Sequence, residues 1–130
     1  MATAPDAAGP VRVLMVEDDR LLRTLAVETL TDDGIGTVGL ERAADALGYL
    51  RTSPDVELLI TDINMPGMSG MDLASIVHQQ FPRLRLLIIS GREQPSAGAF
   101  SQGWHFMQKP FSASRFLSRV REMLDRQAEQ

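Results

Sequence analysis

Five polar side chains stand at or directly after the ends of short apolar runs, and their types suit a magnesium-dependent phosphoryl site. They are Glu17 and Asp18 after "VRVLMV" (11–16), Asp62 after "ELLI" (57–60), Ser90 at the end of "LRLLIIS" (84–90), and Lys109 after "HFMQ" (105–108). Two like charges about 4 Å apart repel by about 4 kcal/mol at the effective dielectric constant of about 20 that applies near a protein surface. If the carboxylates meet, we therefore expect them to hold a cation.

The donor types select the ion and assign the chemistry. Oxygen ligands without His or Cys favour a hard ion, and a few carboxylates that leave room for water and a phosphoryl oxygen suit Mg²⁺ better than Ca²⁺. We expect Asp62 to be the nucleophile and to form an acyl phosphate. Lys109 and the Ser90 hydroxyl would each stabilise a phosphoryl oxygen. Asn64 lies in the loop beside Asp62, and its backbone carbonyl is expected to face the metal.

Each of these residues taken alone also has a purely structural interpretation. Asp18 or Asp19 could cap the first helix, and Asp62 could begin an Asx turn completed by the following Pro-Gly pair. A serine before glycine is usually a loop residue, and a lysine is usually a solvated cation. The joint occurrence favours the site, because successive units of one topology each place the required group at a strand end.

The arrangement of apolar residues predicts the elements that position these groups. Short apolar runs alternate with amphipathic segments, which is the pattern of βαβ units. Strands are expected over 11–16, 37–40, 57–60, 84–90 and 105–108, with a helix over 71–81 and the apolar face of the first helix formed by Leu22, Leu25, Ala26 and Leu30. Near-continuous apolar strands predict a parallel sheet covered on both faces, a single doubly wound α/β layer. Right-handed crossovers then bring the carboxyl ends of all strands to one edge, where ligands bind.

Composition excludes several other classes of function. The chain has no cysteine, and its two histidines, His78 and His105, form no ligand motif, so disulfides and thiolate-zinc sites are excluded. Thirteen Lys and Arg against 17 Asp and Glu give a net charge of −4 without a basic stripe, which argues against direct binding of nucleic acid. No apolar run approaches the roughly 20 residues of a membrane span. We expect a cytoplasmic protein with one domain over 10–127, a flexible leader over 1–9 and a tail over 128–130.

The runs "VLMVEDDRLLR", "LLITDINMPGMSGMDL", "LLIIS" and "FMQKPF" together resemble the receiver domain of two-component response regulators over almost the whole chain. The resemblance implies a flavodoxin-like (βα)5 fold with strand order 2-1-3-4-5. It also implies roles for individual residues: Glu17 and Asp18 hold Mg²⁺, Asp62 is the phosphoacceptor, Ser90 is the switch hydroxyl, Lys109 pairs with the phosphoryl group, Phe106 occupies the aromatic switch position, and the Lys109–Pro110 bond is cis.

The same resemblance implies partners. The phosphoryl donor would be a histidine on a sensor histidine kinase or on a histidine phosphotransfer protein, and the output would pass to a downstream protein target. No direct contact with nucleic acid or with a membrane is expected, and homodimerisation is left open. The chain would be a stand-alone receiver or part of a larger protein such as a hybrid kinase.

The segment between the fourth and fifth strands departs from the family pattern. It contains Pro95 and three glycines. In a helix interior a proline costs about 3 kcal/mol of helix stability and a glycine about 1 kcal/mol. The helix expected there is therefore predicted to be short or irregular. Arg92, two positions after Ser90, lies where its charge could reach the phosphoryl site, and we expect Asn64 and Arg92 to affect the lifetime of the acyl phosphate.

Two other functions compete with a phosphorylation switch that catalyses only its own phosphorylation and dephosphorylation. One is a docking module that keeps the fold without using phosphate, although both the acceptor and the lysine are present. The other is a small phosphohydrolase similar to the haloacid-dehalogenase group. Against that alternative, the acidic pair precedes the nucleophile, and 130 residues leave no cap to enclose a substrate.

Overall fold

The computed structural model describes residues 10–53, 55–91 and 104–128, with side chains described as far as residue 125. Numbered in chain order, its elements are β1 (Val13–Val16), α1 (Arg20–Asp32), β2 (Thr37–Leu40), α2 (Ala43–Arg51), β3 (Leu58–Asp62), α3 (Gly70–Gln80), β4 (Arg85–Ser90), β5 (His105–Gln108) and α4 (Ala113–Ala128). Strands and helices alternate as the sequence pattern predicts. The helix predicted between β4 and β5 would fall within 92–103, outside the described residues.

The five strands form one parallel sheet in the order β2-β1-β3-β4-β5. Val16, the last residue of β1, pairs with Leu40 on one side and with Thr61 on the other. The strand order that the resemblance implies is therefore confirmed. Because all the strands run the same way, the residues that follow β1, β3, β4 and β5 meet at one edge of the sheet.

Two hydrophobic clusters cover the two faces of the sheet. Alternate side chains of β1 enter different clusters, because successive residues of a strand point to opposite faces. Val13 and Met15 pack with α1 and α4, whereas Leu14 and Val16 pack with α2 and α3. This division confirms the doubly wound architecture.

Two details differ from the sequence-based expectation. Leu25 is 52% exposed rather than inward, and Val27 takes its place in the core at 6% exposure. The helical periodicity had fitted either face of α1, and the contact with the sheet selects the one that carries Val27. The second difference is that β3 extends two residues beyond the predicted end at residue 60, so that Asp62 is its last residue.

Side chains cap the first turns of three helices. The Asp19 side chain accepts a hydrogen bond from the Leu22 backbone N–H and caps α1, and Ser69 caps α3 in the same way. At the start of α4, Ser112 Oγ accepts from the Arg115 N–H at 3.1 Å. Within the described residues, no helix combines the length and apolarity needed to cross a bilayer.

Glycine is required where α3 begins beside β3. A Cβ on Gly70 would lie 2.8 Å from the carbonyl carbon of Asp62 and 2.9 Å from the Cα of Ile63. The Gly70 N–H instead donates to the Ile63 carbonyl at 3.0 Å. The start of α3 therefore rests directly on the backbone of Asp62.

Candidate functional site

Three carboxylates meet at the carboxyl edge of the sheet. Asp62 ends β3 and is 7% exposed, Glu17 follows β1 and is fully buried, and Asp18 is exposed. Each offers an oxygen atom, and these oxygens all lie within 4.8 Å of one another. The structure therefore brings together the acidic residues that the sequence pattern selected.

Lys109 lies between two of these carboxylates. Its Nζ is 2.9 Å from Asp62 Oδ2 and 3.2 Å from Glu17 Oε1. Its backbone N–H donates to the Ser90 carbonyl at 2.8 Å, which fixes the lysine to the end of β4. The Lys109–Pro110 peptide bond is cis, as the resemblance implies.

The second oxygen of Asp62 forms an Asx turn. Asp62 Oδ1 accepts from the Asn64 backbone N–H at 3.2 Å, and Gly67 supplies a positive φ of 79° further along the loop. A left-handed residue at this point favours glycine, which has no Cβ to clash. The turn interpretation of Asp62 and its place in the acidic cluster are therefore both correct.

Burial makes Glu17 difficult to ionise. Its pKa rises from an ordinary value of 4.5 to about 7, chiefly because burial removes water from the carboxylate, with the nearby charge of Asp62 adding to the effect. A hydrogen bond from the Asp19 N–H to Glu17 Oε2, at 3.2 Å, acts in the opposite direction. At neutral pH this carboxyl group is therefore harder to ionise than an ordinary glutamate.

Lys109 stays charged in spite of its partial burial. Burial alone would lower the pKa of this ammonium group, but the hydrogen bond to Asp62 and the charges of Glu17 and Asp62 outweigh that effect and raise it. The lysine therefore provides a permanent positive charge beside Asp62.

The donor set fits a hard divalent cation. All the contributed atoms are carboxylate oxygens, and the three carboxylates outnumber the ammonium group of Lys109, so the cluster keeps an excess of negative charge. Asp18 remains available as a ligand because Asp19, its neighbour, is the residue that caps α1. Mg²⁺ matches both the oxygen donors and the small number of protein ligands.

Ser90 lies on β4, the strand beside β3, and Phe106 lies on β5, the next strand along at the edge of the sheet. Ser90 ends β4, is 5% exposed, and pairs with Gln108 of β5. Phe106 pairs with Ile88 and packs against the cluster that α2 and α3 cover. Their roles as a switch pair stay predictions, as does the role of Arg92, which lies outside the described residues.

Sequence reasoning missed Arg23 and treated Gly39 only as a weak point in β2. The guanidinium of Arg23 donates from Nη1 to the Glu17 carbonyl at 2.8 Å. The stem of the same side chain lies over Gly39. A glycine inside a strand often marks a close approach by another chain segment, and that signal was present in the sequence.

The chain is similar to known response regulator proteins over most of its length. The sequence profile of the response regulator receiver domain matches residues 13–121. The response regulator protein FleR of Pseudomonas aeruginosa is 36% identical over 112 residues, which cover 84% of this chain and 24% of FleR. The DNA-binding transcriptional regulator NtrC of Proteus hauseri is 31% identical over 122 residues, which cover 91% of this chain and 25% of NtrC. The chain thus spans about a quarter of the length of these two relatives.

A solved structure gives the same relationship. The receiver domain of NtrX from Brucella abortus superposes with a TM-score of 0.79 at 28% sequence identity, covering 87% of this chain and 98% of that domain. The similarity therefore extends over nearly all of one compact domain.

Proposed function

The chain belongs to the response regulator receiver domain family, and from that membership we propose that it is a phosphoacceptor signalling switch in which Asp62 receives the phosphoryl group. The observation that carries the proposal is the convergence of Glu17, Asp18, Asp62 and Lys109 at one strand edge. Receiver domains act in two-component systems, and phosphorylation and Mg²⁺ binding are general features of the family. Assigning these roles to particular residues of this chain is our inference.

The proposed reaction is a transfer of a phosphoryl group from a phosphohistidine. A carboxylate oxygen of Asp62 forms a bond to phosphorus while the bond from phosphorus to the imidazole nitrogen breaks. The electron pair of the broken bond stays on the imidazole, which takes up a proton. Hydrolysis later regenerates the Asp62 carboxylate and releases inorganic phosphate. Lys109 would exchange part of its contact with Asp62 for a phosphoryl oxygen.

Glu17 and Asp18 would hold Mg²⁺ together with Asp62 and the backbone carbonyl of Asn64. When bound, the ion would neutralise part of the negative charge on the phosphoryl oxygens. Because burial raises the pKa of Glu17, and a carboxylate must be deprotonated to act as a metal ligand, Mg²⁺ binding should strengthen as the pH rises.

The output of the switch would run through Ser90 and Phe106. The hydroxyl of Ser90 would hydrogen-bond the phosphoryl group, and Phe106 would change its packing in response and report the change to a downstream protein target. Asn64 and Arg92 would set how long the acyl phosphate lasts.

A sensor histidine kinase or a histidine phosphotransfer protein would dock on α1. Receiver domains interact with histidine kinases and downstream effectors, and α1 starts two residues after Asp18. Two large apolar side chains of this helix are exposed, Leu21 at 69% and Leu25 at 52%. Among the described residues, they are the large apolar side chains that lie open to solvent. We propose a cytoplasmic location, no direct contact with nucleic acid and no membrane contact, and we leave homodimerisation open.

Docking on α1 can be separated from the chemistry at Asp62. Replacing Leu21 and Leu25 by Ser should slow transfer from a cognate phosphohistidine donor at least about tenfold, since fully burying one leucine side chain contributes about 1.5 kcal/mol or more. Phosphorylation by acetyl phosphate should stay within about twofold of wild type, because that small donor does not need the helix. Equal slowing with both donors would contradict this role for α1.

The test of the proposed function is the stoichiometry of phosphorylation. The chain should bind at most one phosphoryl group per molecule from acetyl phosphate, and only when Mg²⁺ is present. It should also release no nitrophenol from p-nitrophenyl phosphate above the rate of the Asp62→Asn variant. Multiple turnovers of that ester would favour a phosphohydrolase, whereas a folded chain that accepts no phosphoryl group from any donor would favour a docking module.

A further inference from the structure

Arg23, in the first turn of α1, donates two hydrogen bonds to the turn that follows β1. The backbone N–H of Arg23 donates to the Asp19 carbonyl at 2.9 Å, as the first turn of a helix requires. The guanidinium of the same residue reaches further back and donates to the Glu17 carbonyl at 2.8 Å. Arg23 therefore contacts the turn formed by Glu17, Asp18 and Asp19 with both its backbone and its side chain.

We propose that Arg23, seated across Gly39, is a positioning residue that sets the orientation of Glu17 and Asp18 for binding Mg²⁺. The inference rests on the proposed function, because it assumes that these carboxylates are the metal ligands. It goes beyond that function by adding a residue that contacts neither the metal nor the phosphoryl group.

The strength of the contact comes from its charge and its burial. A guanidinium donating to a carbonyl at 2.8 Å lies in the distance range of charge-assisted hydrogen bonds, which are about twice as strong as neutral ones. The Glu17 carbonyl lies just beyond the paired part of β1, whose last backbone bond on this side runs from the Glu17 N–H to the Leu40 carbonyl at 3.0 Å. Arg23 thus extends the fixed part of the strand to the residue that carries the first ligand.

Gly39 makes room for the side chain that forms this contact. A Cβ at position 39 would lie 3.0 Å from Cγ and 3.3 Å from Cδ of Arg23, and 2.9 Å from Cγ2 of Val27. The stem of Arg23 therefore crosses β2 at the one residue of the strand that has no side chain. With its stem held in this way, the guanidinium loses little freedom when it binds the carbonyl.

The effect runs through the backbone and not through the charge on the carboxylates. Arg23 contacts the backbone carbonyl of Glu17 and not a carboxylate oxygen. A charge-neutral replacement should therefore act by loosening the turn. Groups that orient metal ligands in this way typically cost about 10- to 100-fold in metal affinity when they are removed.

The experiment compares Arg23→Met with Arg20→Met. Arg20 is exposed and is the first residue of α1, two residues after Asp18, so its replacement removes the same charge near the site without removing the hydrogen bond to the Glu17 carbonyl. The affinity for Mg²⁺ is measured by calorimetry, and for Mn²⁺ by its electron paramagnetic resonance signal. The free energy of unfolding is measured for both variants in EDTA.

We expect Arg23→Met to bind both ions at least about tenfold more weakly than wild type, and Arg20→Met to stay within about threefold. Equal weakening in the two variants would show that only charge matters and would overturn the inference. A loss of stability in Arg23→Met with unchanged ion affinity would overturn it as well, because the residue would then be merely structural.

A second variant covers the case in which Arg23→Met does not fold. Arg23→Lys keeps the charge and most of the stem but replaces the planar fork of donors by a shorter ammonium group. It should bind Mg²⁺ at least about threefold more weakly than wild type, and wild-type affinity would contradict the inference. If wild-type chain itself binds neither ion, the proposed metal site fails together with this inference, whereas ion binding that is unaffected by Arg23 removes the inference alone.

Discussion

Replacing Glu17 by Gln should stabilise the metal-free protein at alkaline pH. The carboxyl group is fully buried at the edge of the sheet, and its pKa rises from an ordinary value of 4.5 to about 7 because burial penalises the ionised form. Glutamine keeps nearly the same shape and an oxygen that can accept from the Asp19 N–H. It carries no charge to be desolvated at any pH.

The sign of the pH dependence follows from proton binding. Between about pH 4.5 and pH 7 the folded chain keeps a proton on Glu17 that the unfolded chain has released. The folded state therefore binds more protons in this window, so the free energy of unfolding falls as the pH rises and levels off above the folded pKa. The contribution of protonated Glu17 to the free energy of unfolding is fully present below the pKa of the unfolded chain. It is lost as the pH rises through the pKa of the folded chain.

The magnitude has an upper limit set by the shift itself. A tenfold change in proton affinity corresponds to about 1.4 kcal/mol, which gives at most about 3.5 kcal/mol for the rise of the Glu17 pKa from 4.5 to about 7. Since buried ionisable sites respond with an effective dielectric constant of about 20, well above that of a dry interior, we expect about 1 to 2 kcal/mol. The variant should match wild type near pH 5 and exceed its stability by that amount at pH 8.

The assay is urea unfolding in EDTA at several pH values, with wild type and the variants measured side by side so that contributions of other titrating groups cancel. Glu41→Gln is the matched control, because Glu41 is exposed at the same edge. It should stay within about 0.5 kcal/mol of wild type at every pH. A Glu17→Gln protein that is less stable than wild type at pH 8, or a difference that does not grow with pH, would refute the reasoning.

Three further perturbations test other parts of the site. Gly70→Ala places a methyl group against the Asp62 backbone and should lower the free energy of unfolding, measured in urea, by at least about 3 kcal/mol. Gly48→Ala, in open space on α2, should raise the free energy of unfolding by about 0.5 to 1 kcal/mol. Equal effects of the two substitutions would contradict the close approach of Gly70 to Asp62. Lys109→Met leaves two carboxylates without their cation and should lower stability by about 1 to 3 kcal/mol in EDTA at pH 8, and an unchanged midpoint would show that the pair contributes nothing. Asn64→Ala should change the decay rate of the acyl phosphate at least about twofold in a time course of intact mass, while an unchanged rate would show that the Asn64 side chain does not affect the lifetime.

The sheet and the meeting of the acidic residues with Lys109 at its edge could be predicted because both depend on simple periodicities. Continuous apolar runs identified the parallel strands, and parallel strands must end at a common edge, so Glu17, Asp62 and Lys109 could be placed together before any coordinates were known. The strand order came from the resemblance to receiver domains and not from periodicity, since the apolar pattern does not say which strands are neighbours.

Other features could not be predicted because they depend on three-dimensional approach. The apolar spacing on α1 predicted Leu25 on the buried face, and this was wrong, because the contact with the sheet selects Val27 instead. The backbone contact made by the Arg23 guanidinium needs a side chain to cross a neighbouring strand, and a lone glycine in β2 is weak warning of such a crossing. The capping role of Asp19, rather than Asp18, depends on where the first turn of α1 begins.

The most direct test of the central claim is the intact mass of the chain after incubation with acetyl phosphate and Mg²⁺. Wild type, Asp62→Asn and Asp72→Asn are compared, the last as a control because Asp72 is exposed on α3. We predict one phosphoryl group on wild type and on Asp72→Asn, none on Asp62→Asn, and none on any of the three in EDTA. A phosphoryl group that persists on Asp62→Asn at the wild-type level would contradict the assignment of Asp62 as the phosphoacceptor.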